Sequence, residues 1–353
     1  MTDELVLAVE TGADGRAMAA LVAGGRLEDV MLDPPASDPA PWPETICLGR
    51  VDRVAPAMGA CFVSLPGGQT GWLRVADARP GQLRIVQVTR WADPGKAVPL
   101  TDRVLKGAFT LLTPGAGGVN VSRSVKGHEA RERLAAAGEA AMKGAADDLG
   151  LVIRTAAADA ADDMIAEEVA ELREAWASAV ARAEGSAPTT LLGAPDALAR
   201  ARRDWPWPDR VIEGEDAFER LGVWDALRDL RRVRVDLPGG AWMTVEATSA
   251  VVAVDVNTGD DFGKGAAANA NLSACAELPR QLRLRGLGGL IYMDLAPIRK
   301  GARQGVDAAL KRAFSLDPVE THIAGWTTLG AVEMTRKRER RPLLEMLAGF
   351  ADV

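Results

Sequence analysis

Histidine and cysteine are scarce in this chain, which has only two histidines and three cysteines, Cys47, Cys61 and Cys275. Two histidines argue against a multi-histidine metal site. Three widely spaced cysteines argue against a disulfide framework and against a cysteine zinc site, and they suit a reducing compartment. We therefore expect no zinc, and expect any catalytic metal to be held by oxygen ligands, as Mg²⁺ is, with Mn²⁺ as the alternative.

Long apolar runs are also absent. No stretch is long enough to cross a bilayer, and the opening MTDELVLAVETG lacks the basic segment and apolar run of a signal peptide. We therefore expect a cytoplasmic protein with no membrane segment. The 353 residues with 48% hydrophobic content predict two or more compact globular units.

The net charge of −7 is acidic, but the charge is unevenly distributed. Residues 279–353 hold 13 basic and 8 acidic side chains, a local excess of five positive charges. Such a local basic field can bind phosphates whatever the total charge. Each cluster taken alone is also compatible with a solvated helix face or a basic tail. The clusters are Arg280, Arg283 and Arg285; Arg299, Lys300 and Arg303; and Arg336, Lys337, Arg338, Arg340 and Arg341.

The hydrophobic pattern predicts an order of elements along the chain. A strand hairpin over 4–32 and a Pro-rich linker over 33–44 come first. Short β-type runs between Gly/Pro turns follow from Ile46 to Leu112 and predict a small barrel. Helices are expected at about 129–148, 160–184, 266–285 and 302–315, and strands at 149–157 and from Arg231 onward.

Within the predicted barrel, GRVDRVAPAMGACFVSLPGGQTGWLRV resembles an S1-type oligonucleotide-binding (OB) barrel. Aromatic side chains on exposed strands of such barrels stack on bases. Phe62 and Trp72 are the candidates here. The alternative is that both belong to the barrel core.

Two acidic residues end two apolar runs in the last part of the chain. AVVAVDVN is apolar until Asp255, and GGLIYMD is apolar until Asp294. The predicted helix between them reads as a crossover in an α/β sheet, so both acids should lie at carboxyl ends of strands, where ligands bind. If the strands are neighbours, the two carboxylates could share a hard cation, with Asn257 one pleat from Asp255. The alternative is that each aspartate caps a turn or helix.

Three consecutive segments carry a resemblance to a known family. AVVAVDVNTG, NANLSACAELPRQLRLRGLGGLIYMDL and LGAVEMTRKRERRPLLEML resemble, in order and spacing, the catalytic domain of the ribonuclease E/G family. The resemblance implies a multi-part α/β (α+β) fold. Its parts would be a ribonuclease H-like part at 1–45 and 188–230, an S1-type OB barrel at 46–112, a 5′-sensor at 113–187 and a DNase I-like catalytic part at 231–353.

The resemblance also implies roles for particular residues. The metal-binding acids fall on Asp255 and Asp294, and a catalytic-loop asparagine falls on Asn257. A 5′-monophosphate pocket falls on Arg154 and Thr155, flanked by Gly107 and Leu111, and Arg and Thr donors suit a terminal phosphate. We further predict RNA contacts for Phe62, Trp72, Lys96, Arg283 and Arg285.

The sequence departs from the family pattern at several points. No CPxC-type zinc link occurs by Val353, so a homo-oligomer stays open but a zinc-linked one is not expected. Pro297 replaces a second acid, which should alter metal or water placement. Pro279 should kink or restart its helix, and Glu320 replaces a basic residue that supports the sensor.

Taken together, the sequence predicts a magnesium-dependent endoribonuclease that cleaves single-stranded RNA with metal-activated water and senses a 5′-monophosphate, in RNA processing or decay. Two alternatives stay open. One is a non-catalytic RNA-binding relative, favoured by Pro279, Pro297 and Glu320. The other is a nucleotide-binding enzyme that uses TGDDFGKG as a phosphate loop, although this run lacks GxxxxGK[ST] spacing.

Overall fold

In the computed structural model the described residues are 4–35, 38, 40–93, 95–102, 105–261, 263–348 and 350. They form two compact units, one from residues 1–37 with 206–353 and one from 38–205.

The described part of the chain contains many short strands and fewer helices. The strands are β1 (Leu5–Thr11), β2 (Ala17–Ala23), β3 (Arg26–Leu32), β4 (Ile46–Ala55), β5 (Ala60–Ser64), β6 (Thr70–Arg74), β7 (Leu83–Val88), β8 (Val98–Thr101), β9 (Leu105–Lys106), β10 (Thr110–Pro114), β11 (Gly118–Val121), β12 (Leu149–Ile153), β13 (Thr189–Leu192), β14 (Arg210–Glu213), β15 (Arg234–Asp236), β16 (Trp242–Ala247), β17 (Val251–Asn257), β18 (Gly289–Asp294), β19 (Thr321–Trp326) and β20 (Val332–Arg336). The α-helices are α1 (His128–Ala141), α2 (Asp162–Arg182), α3 (Ala197–Asp204), α4 (Ala217–Arg220), α5 (Val223–Asp229), α6 (Ala266–Leu284), α7 (Arg303–Ser315) and α8 (Leu343–Met346).

The first unit contains a four-stranded sheet in the order β14-β1-β2-β3. The predicted hairpin over 4–32 is confirmed for β1 and β2, but its second arm is wrong as a single strand. The chain turns again at Gly24 and Gly25, both at positive φ, and 26–32 form the third strand β3. Strand β14 joins β1 in parallel from far along the sequence. Apolar side chains of this sheet pack with α4 and α5, where Phe218 and Leu227 are fully buried.

The first unit also contains a six-stranded sheet in the order β15-β16-β17-β18-β20-β19. Helix α6 joins the parallel strands β17 and β18, as the crossover reading predicted. Alternate side chains of the strands pack with α6 and α7 in one apolar core, and the intervening side chains lie on the opposite face. The helices therefore cover one face of this sheet.

Proline 279 does not interrupt α6. The prediction that it restarts the helix is wrong, because the helix runs unbroken from Ala266 to Leu284 with Pro279 inside it. A proline removes one backbone hydrogen bond, but the neighbouring Leu278 and Leu282 are fully buried in the core. Pro279 is itself buried on this face, within a helix that continues through it.

The second unit contains the predicted barrel. Strands β4, β5, β6, β8 and β7 follow one another, and β7 pairs back with β4, so five strands close on themselves. The interior is filled by alternate apolar side chains, including Val51, Cys61, Val63 and Leu73. Strand β13 pairs with β4 but is not one of the five strands that close the barrel.

The second unit also has a four-stranded sheet in the order β11-β12-β10-β9, which packs with α1 and α2. Strand β9 and the first residues of β10 lie in the range 46–112 that the sequence assigned to the barrel, but both strands pair within this sheet. Across the described residues of both units, none of the helices combines the length and apolar character that a membrane crossing requires.

Candidate active site

The two strand-end acids lie side by side. In the parallel pairing of β17 with β18, Asp255 is the register partner of Asp294. The expected adjacency of these strands is thus confirmed, and neighbouring strands lie roughly 4.8 Å apart. Both aspartates are exposed on the face away from α6 and α7, whereas the flanking Val254 and Met293 are buried. The fold therefore presents two carboxylates together at one sheet edge.

Asn257 belongs to the same group of side chains. Its Nδ2 donates a hydrogen bond of 2.7 Å to Oδ2 of Asp255. This contact fixes the rotation of the Asp255 carboxyl group and leaves its other oxygen free of Asn257. The one-pleat spacing in the sequence predicted this proximity.

The donor set fits a hard cation with few protein ligands. Over the described part of the chain, no cluster of three or more histidine, cysteine, aspartate or glutamate side chains is placed to hold a metal ion. Asp255 and Asp294 supply two carboxylates. Magnesium characteristically takes one or two carboxylates and completes its octahedron with water and substrate phosphate, so the pair suits that ion.

The glycine-rich run TGDDFGKG follows β17. Asp261 Oδ1 accepts a hydrogen bond of 2.7 Å from the Gly263 amide, so a carboxylate occupies a backbone donor of the loop. Phe262 lies outside the described residues. A loop that carries two acids and turns an N–H toward its own carboxylate is poorly suited to cradle phosphates.

An aromatic side chain with a cationic neighbour lies beside Asn257 and was not predicted from the sequence. Trp242 on β16 is the register partner of Asn257, and it is half-buried. The guanidinium carbon of Arg234 on β15 lies 4.8 Å from the centroid of the Trp242 ring. Trp242 begins β16 and Asn257 ends β17, so only the pairing register of the two strands shows that these residues are neighbours.

Arg283, predicted to contact RNA, is engaged within the protein. Its Nη1 lies 2.5 Å from Oδ2 of Asp317, and its Nη2 donates to the Glu28 carbonyl at 2.9 Å. Arg336 lies 2.8 Å from the other oxygen of Asp317, whose side chain is fully buried. These contacts tie α6 to β3 and β20 and favour a structural role for Arg283.

Arg285, the second predicted contact of this helix, is similarly occupied. It donates to the carbonyls of Leu230 and Arg232, each at 2.7 Å, and to Oε1 of Gln281 at 3.0 Å. Burial lowers the pKa of Arg285 to about 10. Two of the five guanidinium N–H donors are therefore bonded to backbone carbonyls, and a third is bonded to the side chain of Gln281.

The barrel residues Phe62 and Trp72 lie outside the barrel core. They are register partners on β5 and β6, both half-buried, with ring centroids 4.9 Å apart in an edge-to-face arrangement. The alternative that they fill the core is wrong, because the interior is formed by the alternate side chains of the same strands. The guanidinium carbon of exposed Arg53 lies 4.5 Å from the Phe62 centroid. Lys96 is exposed, with Nζ 3.4 Å from Oδ2 of Asp93.

The four predicted sensor residues lie in the second unit around β10 and β12. Arg154 directly follows β12, and its Nη1 donates to the carbonyls of Gly107 and Ala108 at 2.5 and 2.7 Å. Thr155 is exposed, and its Oγ1 lies 3.2 Å from Oγ of Ser122. The structure thus brings Arg154 against Gly107, and Leu111 lies on β10 beside β12.

Glu168 on α2 organises the loop that contains Gly107, and sequence reasoning missed it. Its carboxylate accepts hydrogen bonds from the amides of Ala108 and Phe109 and from the Thr110 hydroxyl. A Cβ at Gly107 would lie 2.3 Å from the Glu168 carboxyl carbon. Glycine is required at 107 because the carboxylate approaches its backbone closely.

Glu320 lies in the first unit, fully exposed and ion-paired with Lys337. Lys337, through its side-chain hydrogen bond and then its charge, lowers the pKa of Glu320. This pair lies at the Gly289 end of β18, the opposite end of the sheet from Asp294.

Comparison with known proteins identifies the family to which this chain belongs. The model described as "Ribonuclease E/G family" matches residues 104–210 and 207–339. The chain therefore belongs to the ribonuclease E/G family, as the three sequence segments implied.

Several curated proteins are similar over most of the chain. Ribonuclease E of Synechocystis sp. is 29% identical over 361 aligned positions, which cover 85% of this chain and 53% of that protein. Ribonuclease G of Salmonella typhimurium is 28% identical over 409 positions, covering 98% of this chain and 82% of that protein. Ribonuclease G of Escherichia coli K12 gives the same identity and coverage. The chain thus spans about half the length of the ribonuclease E relative.

Proposed function

We propose that this protein is an endoribonuclease that hydrolyses phosphodiester bonds of single-stranded RNA with the help of Mg²⁺, Mn²⁺ being the alternative ion. The observation that carries the proposal is the register pairing of Asp255 with Asp294, with Asn257 bonded to Asp255. Family membership and relatives named ribonuclease E and ribonuclease G support it.

Each side chain has a defined task in this proposal. Asp255 and Asp294 would hold the cation, and Asn257 would fix the rotation of the Asp255 carboxylate through its hydrogen bond. When bound, Mg²⁺ would polarise the scissile phosphate and activate the attacking water. In-line attack would leave a 3′-hydroxyl and a 5′-phosphate. Pro297, where the family pattern has a second acid, would supply no carboxylate to the cation.

Single-stranded RNA is the proposed substrate because its unstacked bases can meet aromatic side chains. Phe62 and Trp72 lie on the barrel exterior with Arg53 beside them, the combination that binds bases and backbone together. Exposed Lys96 adds charge to the same barrel. These features support a binding track for a flexible strand.

A 5′-monophosphate is proposed to bind at Arg154 and Thr155, in RNA processing or decay. Arg154 Nη1 is held by two carbonyls, which leaves Nη2 and Nε, without a hydrogen bond to any described residue, for a phosphate. Thr155 is exposed and offers a hydroxyl. Because a guanidinium presents its donors as a planar fork, this arrangement suits a terminal phosphate.

The remaining parts of the proposal concern architecture and setting. The four-stranded and six-stranded sheets of the first unit would be the ribonuclease H-like and DNase I-like parts of the family, and the barrel would be its S1-type domain. The three cysteines are buried free thiols, which is compatible with a cytoplasmic location. A homo-oligomer that does not depend on zinc remains part of this proposal.

The test compares wild type with Asp255→Asn and Asp294→Asn on a 5′-monophosphorylated, A/U-rich single-stranded RNA, with and without Mg²⁺. We expect each substitution to lower the cleavage rate at least about 100-fold, because losing a metal ligand should exceed the 10–100-fold cost of losing an outer-shell partner. RNA affinity, measured by fluorescence anisotropy in EDTA, should be retained.

Asp225→Asn provides the matched control, since this exposed aspartate pairs with Arg228 on α5 and belongs to neither β17 nor β18. It should cleave like wild type. A wild-type protein that binds the RNA but does not cleave it with either metal ion would instead support a non-catalytic RNA-binding relative. Undiminished cleavage by either of the other two variants would remove the assignment of the acids.

A further inference from the structure

A buried asparagine lies behind the candidate active site. Asn271, in the second turn of α6, has no exposed surface. Its Nδ2 donates to the Ala296 carbonyl at 2.9 Å, and its Oδ1 accepts from the Ala296 amide at 3.0 Å. One side-chain amide thus satisfies both backbone polar groups of a single residue.

The position of Ala296 links this contact to the candidate active site. Ala296 lies two residues beyond Asp294, where the chain has left β18, and it is itself 4% exposed. A buried backbone amide and carbonyl need partners, and outside regular secondary structure these are turn or loop backbone groups, side chains or water. Asn271 supplies both, so the segment that follows Asp294 is held against α6.

Asn271 also connects the two candidate metal ligands through the chain. Helix α6 begins after the strand that carries Asp255 and ends before the strand that carries Asp294. The contact between Asn271 and Ala296 therefore ties the segment that follows β18 to the helix that follows β17. An apolar residue would fill this core position with less desolvation cost, so the polar side chain indicates a requirement beyond packing.

We propose that Asn271 is a positioning residue for the metal site: it holds the 295–297 segment and thereby sets the direction of the Asp294 carboxylate toward Asp255. This inference rests on the proposed function. Asn271 is fully buried, so it contacts neither RNA nor the ion, and its effect passes through Asp294. Loss of such outer-shell support typically costs 10–100-fold in metal affinity or activity.

The test uses Asn271→Asp and Asn271→Ala in the full chain. Asn271→Asp keeps the size and the acceptor but loses the amide donor to Ala296, and it serves if Asn271→Ala does not fold. Asn269→Ala is the matched control, because Asn269 lies two residues earlier on α6 with an exposed side chain. Folding is checked by circular dichroism and thermal unfolding.

Two readouts separate positioning from simple stability. The first is Mn²⁺ binding by the protein alone, measured by isothermal titration calorimetry. The second is the Mg²⁺ concentration at half-maximal cleavage. We expect both midpoints to rise at least about tenfold in the folded Asn271 variants, with the RNA KM unchanged and the control like wild type.

The outcomes separate this inference from the function on which it rests. A folded Asn271 variant that unfolds at a lower temperature but keeps the wild-type Mn²⁺ and Mg²⁺ midpoints would show a purely structural asparagine and overturn the inference. If wild type itself neither binds Mn²⁺ nor cleaves RNA, the proposed function fails and the inference falls with it.

Discussion

Replacing Arg283 with alanine distinguishes a structural from an RNA-binding role for the basic residues of α6. The Arg283 side chain is 13% exposed and lies 2.5 Å from Asp317, whose own side chain has no exposed surface. Removing one partner of a buried ion pair costs about 3–5 kcal/mol, because the other charge is left buried. Asp317 retains Arg336 at 2.8 Å, so we expect the lower end, about 3 kcal/mol.

Such a loss is readily measured. For a unit of this size 1 kcal/mol corresponds to about 2–4 °C in Tm, so Arg283→Ala should unfold about 6–12 °C below wild type. Thermal unfolding followed by circular dichroism gives this shift. Anisotropy titration with a fluorescent single-stranded RNA, repeated at several salt concentrations, should give an affinity close to that of wild type at a temperature where both proteins are folded.

Arg299→Ala is the comparison, because Arg299 is exposed and belongs to the same basic part of the chain. It should leave Tm unchanged, and if this region binds phosphates it should weaken RNA binding and reduce the salt dependence. The reasoning is refuted if Arg283→Ala keeps the wild-type Tm and loses RNA affinity, since the arginine would then contribute to binding and little to the buried network.

Three further outcomes are expected, besides the tests given above. Burial opposes ionisation of Asp204, but its hydrogen bond and charge interaction with Arg203 lower its pKa from 3.8 to about 2. That stabilisation, at most about 2 kcal/mol, is present above pH 3.8 and lost as the pH falls toward 2, so acid unfolding of Asp204→Asn should show a shallower pH dependence. Phe62→Ala should weaken RNA binding by about 1–3 kcal/mol per lost stacked base, measured by anisotropy, and an unchanged affinity would place the bases elsewhere. Arg154→Ala should abolish any preference for 5′-monophosphate over 5′-hydroxyl RNA in kcat/KM, and a preserved preference would assign Arg154 to holding Gly107 alone.

The pairing of Asp255 with Asp294 was predictable because chain geometry restricts it. Two apolar runs joined by a helix form a parallel crossover, and polar residues at both carboxyl ends must then lie at one sheet edge. The hairpin at the start of the chain was predictable for a similar reason, since its alternation and turn residues are local. The local hydrophobic pattern and the crossover topology were therefore enough to predict most of the fold and the centre of the candidate site.

Long-range contacts were beyond that reasoning. The bond from Arg283 to the Glu28 carbonyl spans 255 residues, so nothing near either residue in the sequence announces it. A basic cluster reads the same whether its charges face solvent or buried carboxylates. Asn271 escaped notice for the same reason, because a polar residue in a helix acquires meaning only when Ala296 is placed against it.

The nested order of the two units bears on how the chain is made. Residues 38–205 form a contiguous unit. The other unit needs residues that precede and residues that follow this range in the sequence, since β1 pairs with β14. During synthesis from the amino terminus, the contiguous unit can complete its core while the hairpin of β1 and β2 still waits for its partner strand. The edge of β1 that pairs with β14 therefore stays unpaired while more than 170 further residues are translated. Ribosome-bound chains halted before β14 should accordingly be the ones that recruit chaperones.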